Sequence, residues 1–251
     1  DSPIAPLHVE GNAVIETGSP DLYFATTSAS HYNWRVAAQE TVDAGFEIAS
    51  GTTSAGSNAV NDTYTTHFVV KSSGNVGIGT GTSTPNRLLE IAGNNNGGAK
   101  ANYIRITDTD TSATKDNQAG GIEFFTNDSV AGIAASMEVI YAGSGGGGEF
   151  TFNTAAHSSA GVVEAMRIDE NGNVGIGTTS PASQDASANN LVISDTAGNG
   201  GLTINTPTNA IGAIHFSDGT SGADRYRGII SYGHSDNSMR FHTNTARAMT
   251  I

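Results

Sequence analysis

Gly172-Asn173-Val174-Gly175-Ile176-Gly177-Thr178 decides how this chain is read, because the same seven residues recur at Gly74-Asn75-Val76-Gly77-Ile78-Gly79-Thr80. A proline follows each copy, Pro85 in the first case and Pro181 in the second. The preceding residues match in character, His67-Phe68-Val69-Val70-Lys71 against Ala165-Met166-Arg167-Ile168-Asp169. The final residues, Ala248-Met249-Thr250-Ile251, read as the same lead-in once more.

Val-Gly-Ile-Gly alternates with period two, the mark of a strand with Val and Ile on one face and glycine on the other. Such a strand loses backbone entropy and packs nothing on its glycine face, so it makes sense where another backbone comes very close. Between lead-in and motif stands Glu170-Asn171-Gly172-Asn173. Asn-Gly between two alternating runs is a strong hairpin signal. Ser72-Ser73-Gly74-Asn75 is a weaker version of the same turn. The two copies are therefore expected to form equivalent strand–turn–strand units over 66–80 and 164–178.

Around these hairpins the chain shows short alternating runs separated by Gly, Asn, Asp and Ser clusters, which predicts an all-β fold built of repeated short-stranded modules. The boundaries read as 1–86, 87–182 and 183–251. Each module opens on a short apolar strand, at Pro6–Val9, Leu88–Ile91 and Asn190–Ile193. A second is expected at Leu22–Ala25, Tyr103–Ile106 and Leu202–Ile204. Later strands match between modules two and three: 121–124 with 213–216, 135–141 with 227–232, and 149–154 with 238–243. In the first module, 32–36, 46–48 and 67–70 read as strands. Gly143 to Gly148 reads as a hairpin tip.

Composition narrows the function classes. Of 251 residues, only 37% are hydrophobic and 32 are glycine, a thin core for a monomer of this length. Burying surface between subunits is one remedy. A formal charge of -13 argues against nucleic acid and anionic membrane surfaces as partners. No run of about 18 apolar residues is present, so no membrane-inserted helix is expected. Cysteine is absent, which excludes disulfides, thiolate metal sites and thiol catalysis. The chain begins at Asp1 without a leader pattern and reads as an excised piece of something longer.

Asn-Gly-Asn-Val-Gly-Ile-Gly-Thr-Thr-Ser-Pro at 171–181, followed by a short Leu-x-Val strand, resembles the repeat of tail fibres and other receptor-binding fibre proteins of bacteriophages and large viruses. The first copy departs from it at Gly81-Thr82-Ser83-Thr84-Pro85. The resemblance implies an elongated homotrimer on a virion surface, non-enzymatic, joined to neighbouring fibre or baseplate proteins and in contact with a cell-surface glycan or receptor. Glycine faces at Gly77/Gly79 and Gly175/Gly177 agree with three chains approaching an axis. The same repeat occurs in some bacterial surface proteins, so a surface filament or adhesin of a cell is the second reading. A glycan-depolymerising tailspike is the third.

No residue is assigned to catalysis, a cofactor or a metal. Glycan hydrolysis would need two carboxylates across a cleft. Glu123, Glu138 and Glu149 lie on expected strands, but 24 acidic residues make such pairs cheap. Asp108-Thr109-Asp110 opens like a calcium loop but has Ala113 and Ala119 where the loop needs Gly and Glu. The seven histidines contain no His-x-His pair. Tyr32, Trp34, Tyr226 and Tyr232 could stack on sugar rings. Loops 27–33, 92–98, 142–149 and 219–226 vary between modules and are the expected place for receptor contacts.

Overall fold

The computed structural model describes residues 13–26, 28, 30–54, 59–93, 104–109, 111–127, 131–144, 147–156, 161–195 and 197–251. It is all-β, with three sheets. The first contains β1 (Asp21–Phe24), β2 (Tyr32–Ala38), β3 (Gly45–Ser54), β4 (Tyr64–Lys71), β5 (Val76–Ile78) and β6 (Leu89–Ile91), side by side in chain order. The second contains β7 (Gln118–Thr126), β8 (Gly132–Tyr141), β9 (Gly148–Ala155), β10 (Val162–Ile168), β11 (Val174–Ile176) and β12 (Leu191–Ile193), again in chain order. The third contains β13 (Ile211–Phe216), β14 (Gly228–Gly233), β15 (Ser238–Thr243) and β16 (Ala246–Thr250). Two compact units divide the chain, Asp1–Arg105 with the first sheet and Ile106–Ile251 with the other two.

The sheets repeat one frame. All pairings are antiparallel hairpins except the last, where β5 runs parallel to β6 and β11 parallel to β12. Both motif copies form hairpins in the same register: Phe68, Val69 and Val70 face Ile78, Gly77 and Val76, as Met166, Arg167 and Ile168 face Ile176, Gly175 and Val174. In each turn a glycine takes the left-handed conformation, Gly74 at φ 88° and Gly172 at φ 85°. Each lead-in strand carries one extra residue against its neighbour, His67, Ala165 and Ala248, so the terminal lead-in sits in the frame of the other two.

Four expectations change. Leu88–Ile91 and Asn190–Ile193 do not open new sheets; their strands close the preceding ones, so sheets cross the 86/87 and 182/183 boundaries. Residues 104–106 and 202–204 lie outside the strands. Ile106 and Ile204 instead pack flat on glycines of the next strand: a Cβ on Gly120 would stand 2.7 Å from Ile106 Cγ2, and one on Gly212 3.4 Å from Ile204 Cγ2. Leu22–Phe24 is consequently the counterpart of Ile122–Phe124, not of 104–106. Pro6–Val9 and Tyr103 lie outside the described residues. The strands on either side of 143–148 pair with each other as expected, with Ala142 N–H donating to Gly147 O at 2.8 Å; residues 145–146 lie outside the described residues.

The fourth change concerns the glycine face, which its own chain covers. A parallel pair normally needs a crossover of about a dozen residues or more, usually a helix. Here the connections, 79–88 and 177–190, contain no α-helix, and they fold tightly over the strand they leave. A Cβ on Gly77 would stand 2.6 Å from Thr80 Oγ1 and 2.9 Å from Val69 Cγ1. One on Gly175 would stand 2.6 Å from Thr178 O and 3.4 Å from Pro181 Cδ. Gly79 and Gly177 take φ 71° and 70°, and a Cβ there would meet Ala92 O at 2.2 Å and Ser194 O at 2.1 Å. Pro85 and Pro181 are fully buried beneath these arcs. The glycines admit a crossover, and no second chain is needed to explain them.

Candidate functional site

Because alternate side chains point to opposite faces, the registers sort each sheet into a polar and an apolar face. In the first two sheets the polar one is buried. In the first sheet it carries Arg35, Glu47, Thr66, Ala49 and Val69, covered by Val42 of the β2–β3 connection and by the crossover arc. Glu47 is 0% exposed. It accepts hydrogen bonds from the N–H groups of Thr41 (2.8 Å) and Val42 (2.7 Å) and from Thr66 Oγ1 (2.8 Å). Burial works to raise its carboxyl, and these bonds outweigh it, holding the group below its ordinary value. Arg35 stacks over the Tyr64 ring at 4.7 Å and reaches Glu40 Oε1 at 3.2 Å.

The second sheet buries Ser136, Thr151, Asn153, Glu149 and Arg167 on the same side. Arg167 donates to Glu149 and, at 2.7 Å, to Glu164 Oε2. A polar cleft of about 410 Å³ lies here, lined by Glu138, Glu164, Arg167 and Lys115 among others. The hydrogen bond and charge of Glu164, against the opposing effect of burial, raise the Arg167 guanidinium above its ordinary range. Glu149 is thus an ion-pair partner, Glu138 accepts from Ser136 Oγ, and Glu123 is exposed. The three strand acids share a face without facing one another across a cleft.

The apolar faces are open, and they repeat position by position. One cross-strand row reads Leu22, Val36, Ile48, Phe68, Ile78, Ile91 in the first sheet and Ile122, Met137, Phe152, Met166, Ile176, Ile193 in the second. The third sheet continues it with Ile214, Ile230, Phe241 and Met249. The adjacent row reads Ala38, Phe46, Val70, Val76, Leu89, then Val139, Phe150, Ile168, Val174, Leu191. Among the described residues the buried apolar side chains are Ala37, Val42, Ala49, Ala59, Val69 and Ile140 with Pro85 and Pro181, while Leu22, Phe46, Ile78, Leu89, Ile122, Phe150, Ile176, Leu191, Ile214 and others of these rows stay exposed. This inverts the usual distribution, in which a contiguous exposed apolar patch is the informative exception.

Val76, Ile78, Val174 and Ile176 of the motif belong to these rows, so the motif builds the open face as well as the crossover. Asn75 and Asn173, identical in sequence, bond differently. Asn75 Nδ2 donates to Pro85 O at 3.0 Å, and Asn173 Nδ2 to Asp169 Oδ2 at 2.9 Å. Thr80 is buried with its hydroxyl unpartnered, while Thr178 Oγ1 accepts from Ser180 N–H at 3.2 Å.

A third row lies at the end of the face beside the β1–β2 connection. In the first sheet it holds Phe24, Trp34 and Ser50, with His67 in the bulge beside them. With Thr26, Ser30, His31 and Tyr32 they line an open cleft of about 530 Å³. Trp34 and Tyr32, named from sequence as sugar-stacking candidates, therefore meet here; Tyr226 and Tyr232 lie in the other unit. His67 was not singled out, and the bulge that places it is not visible in a single strand's pattern. Of the expected recognition loops, 30–33 borders this cleft and 222–226 forms a short 3-10 helix, while 27, 29, 94–98 and 145–146 lie outside the described residues. Asp108 accepts a hydrogen bond from Tyr141 Oη at 3.0 Å, and Asp110 lies outside the described residues.

No protein-family model matches the chain, and no curated protein matches it either.

Proposed function

We propose that the chain is a segment of a trimeric attachment fibre carried on a virus or phage particle, structural and non-enzymatic. The observation that carries this reading is the inverted distribution: in the first two sheets, polar faces buried under the chain's own loops and apolar faces left open in the same two rows, the first of which the third sheet shares. A partner for such a face must present the same rows at the same spacing, which a second and third copy of this chain do. Three one-faced sheets around an axis bury that face from all sides. The virion assignment rests on the resemblance of the 171–181 repeat to fibre proteins.

Immunogold labelling with an antibody against this chain tests the placement. Label on particles, and adsorption blocked by the antibody, is the expected result. Label confined to a cell envelope would replace the virion reading with a surface filament.

A further inference from the structure

We propose that the cleft formed by Trp34, His67 and Ser50 is a binding site for a neutral hexopyranose unit of a glycan. The first ground is a comparison internal to the chain. The three sheets share one frame, and at the positions of Trp34 and His67 the second sheet has Ala135 and Ala165, the third Gly228 and Ala248. Small residues satisfy the fold there twice. The two large rings appear together, and only in the first sheet, so the frame itself does not require them.

The second ground is geometry. The rings of Trp34 and His67 stand 5.8 Å apart at 48°. Ser50 Oγ and His67 Nε2 share a hydrogen bond of 2.7 Å, which fixes the imidazole's orientation. Trp34 remains 45% exposed and Phe24 55%. The row departs from the two wholly apolar rows just where Ser50 and His67 enter, so it lies at the border of the self-docking face.

The third ground is chemistry. Small-ligand clefts are largely apolar and aromatic with a few polar groups that fix orientation. A pyranose offers a face of C–H groups that an indole covers and a rim of hydroxyls that Ser, Thr and His side chains can bond. Among the described residues no Lys, Arg, Asp or Glu lines the cleft, so none of them would balance an ionised sugar. A ligand of one ring in an open cleft binds weakly, on the order of millimolar Kd, and a cell surface or capsule that repeats the sugar would add avidity through repeated copies of the chain.

This deepens the attachment reading and rests on it for the biological source of the sugar, whereas binding itself is measured independently of assembly. Trp34 is the single tryptophan, so its emission reports on this cleft alone. The assembled chain is titrated with the methyl glycosides of glucose, galactose and mannose, with its mass recorded by light scattering in the same samples. A saturable change in Trp34 emission with at least one of them, half-complete at millimolar concentration, is expected. His67→Ala should weaken it tenfold or more at unchanged mass. Trp34→Ala should abolish saturation transfer from protein to glycoside in NMR. Both variants install a residue that the second sheet carries at the same position, so folding is expected to survive. Absence of a saturable response to all three glycosides would overturn the proposal. So would a Trp34 emission shielded from acrylamide, which would place the pair between copies of the chain. A changed mass without loss of binding would contradict the attachment reading's assembly and leave the site standing.

Discussion

The hairpins at 66–80 and 164–178 share seven motif residues and one register, yet different side chains hold them. In the second, Asp169 anchors the turn: its carboxylate accepts from the N–H groups of Asn171 and Asn173 and from Asn173 Nδ2, each at 2.9 Å. In the first, Lys71 takes that position and has no carboxylate to offer, so Asn75 turns instead to the crossover at Pro85 O. The backbone bonds are unchanged, Lys71 N–H to Asn75 O at 2.8 Å and Asp169 N–H to Asn173 O at 2.9 Å. What stays constant is the hairpin backbone and the left-handed glycine that starts each crossover, Gly79 at φ 71° and Gly177 at φ 70°, and what varies is the turn's support. Glycine is indispensable to the former, since it alone combines a left-handed backbone with a carbonyl pressed against its Cα.

The largest effect should be common to both copies. Gly177→Ala and Gly79→Ala each force a side chain into the left-handed region, at about 1–2 kcal/mol, and against Ser194 O or Ala92 O, at about 1–3 kcal/mol by overpacking. Chemical-denaturation midpoints should fall alike in the two variants. A wild-type midpoint in either would break the equivalence of the crossovers.

A smaller effect should separate the copies. Alanine at Gly175 meets the fixed carbonyl of Thr178, whereas alanine at Gly77 meets first the Thr80 hydroxyl, a side-chain atom with no hydrogen-bond partner to lose, and then Val69. Gly175→Ala should therefore cost more than Gly77→Ala, within the range of about 1–3 kcal/mol for overpacking. Equal losses would mean that the arcs over the two strands yield equally.

A third effect tests the turns. Asp169→Ala removes one acceptor of three hydrogen bonds and should cost about 1–3 kcal/mol, while Lys71→Ala should stay within about 0.5 kcal/mol. Burial works to raise the Asp169 carboxyl, and the hydrogen bonds from Asn173, Asn171 and Gly172 outweigh it, holding the group below its ordinary value of 3.8. A lowered folded pKa means that the contribution is complete above the unfolded value and is lost as pH falls through the folded one. The penalty of Asp169→Ala should accordingly be full at pH 7 and shrink as pH drops below 3.8. A penalty independent of pH would assign the turn's support to something other than the carboxylate.

Local chemistry made the hairpins legible. Asn171-Gly172 and Ser73-Gly74 announced turns because a left-handed residue is needed there, and period-two alternation announced the strands. Direction and coverage were not legible. Leu89-Glu90-Ile91 reads as a strand from its pattern, but whether it pairs forward or back depends on how tightly 79–88 crosses Gly77, which no local pattern encodes. Ile104-Arg105-Ile106 alternates like a strand, yet the glycine at 120 gives Ile106 a place to pack that an edge strand would not. Alternation shows two faces and does not say which one the loops cover, so the buried polar network around Glu47 and Arg35 could not be foreseen. Trp34 was visible as the single tryptophan. Its neighbour His67 could have been found by setting it against Ala165 and Ala248 in the aligned lead-ins.

The assembly of the open faces is tested most directly by sedimentation equilibrium of the purified chain over a micromolar range. The expected result is one species of three times 25.6 kDa, dissociated when Ile78 and Ile176 are both changed to Asp, since each would place a charge in the apolar row. A folded, monodisperse species of 25.6 kDa with the apolar rows open to solvent would contradict it.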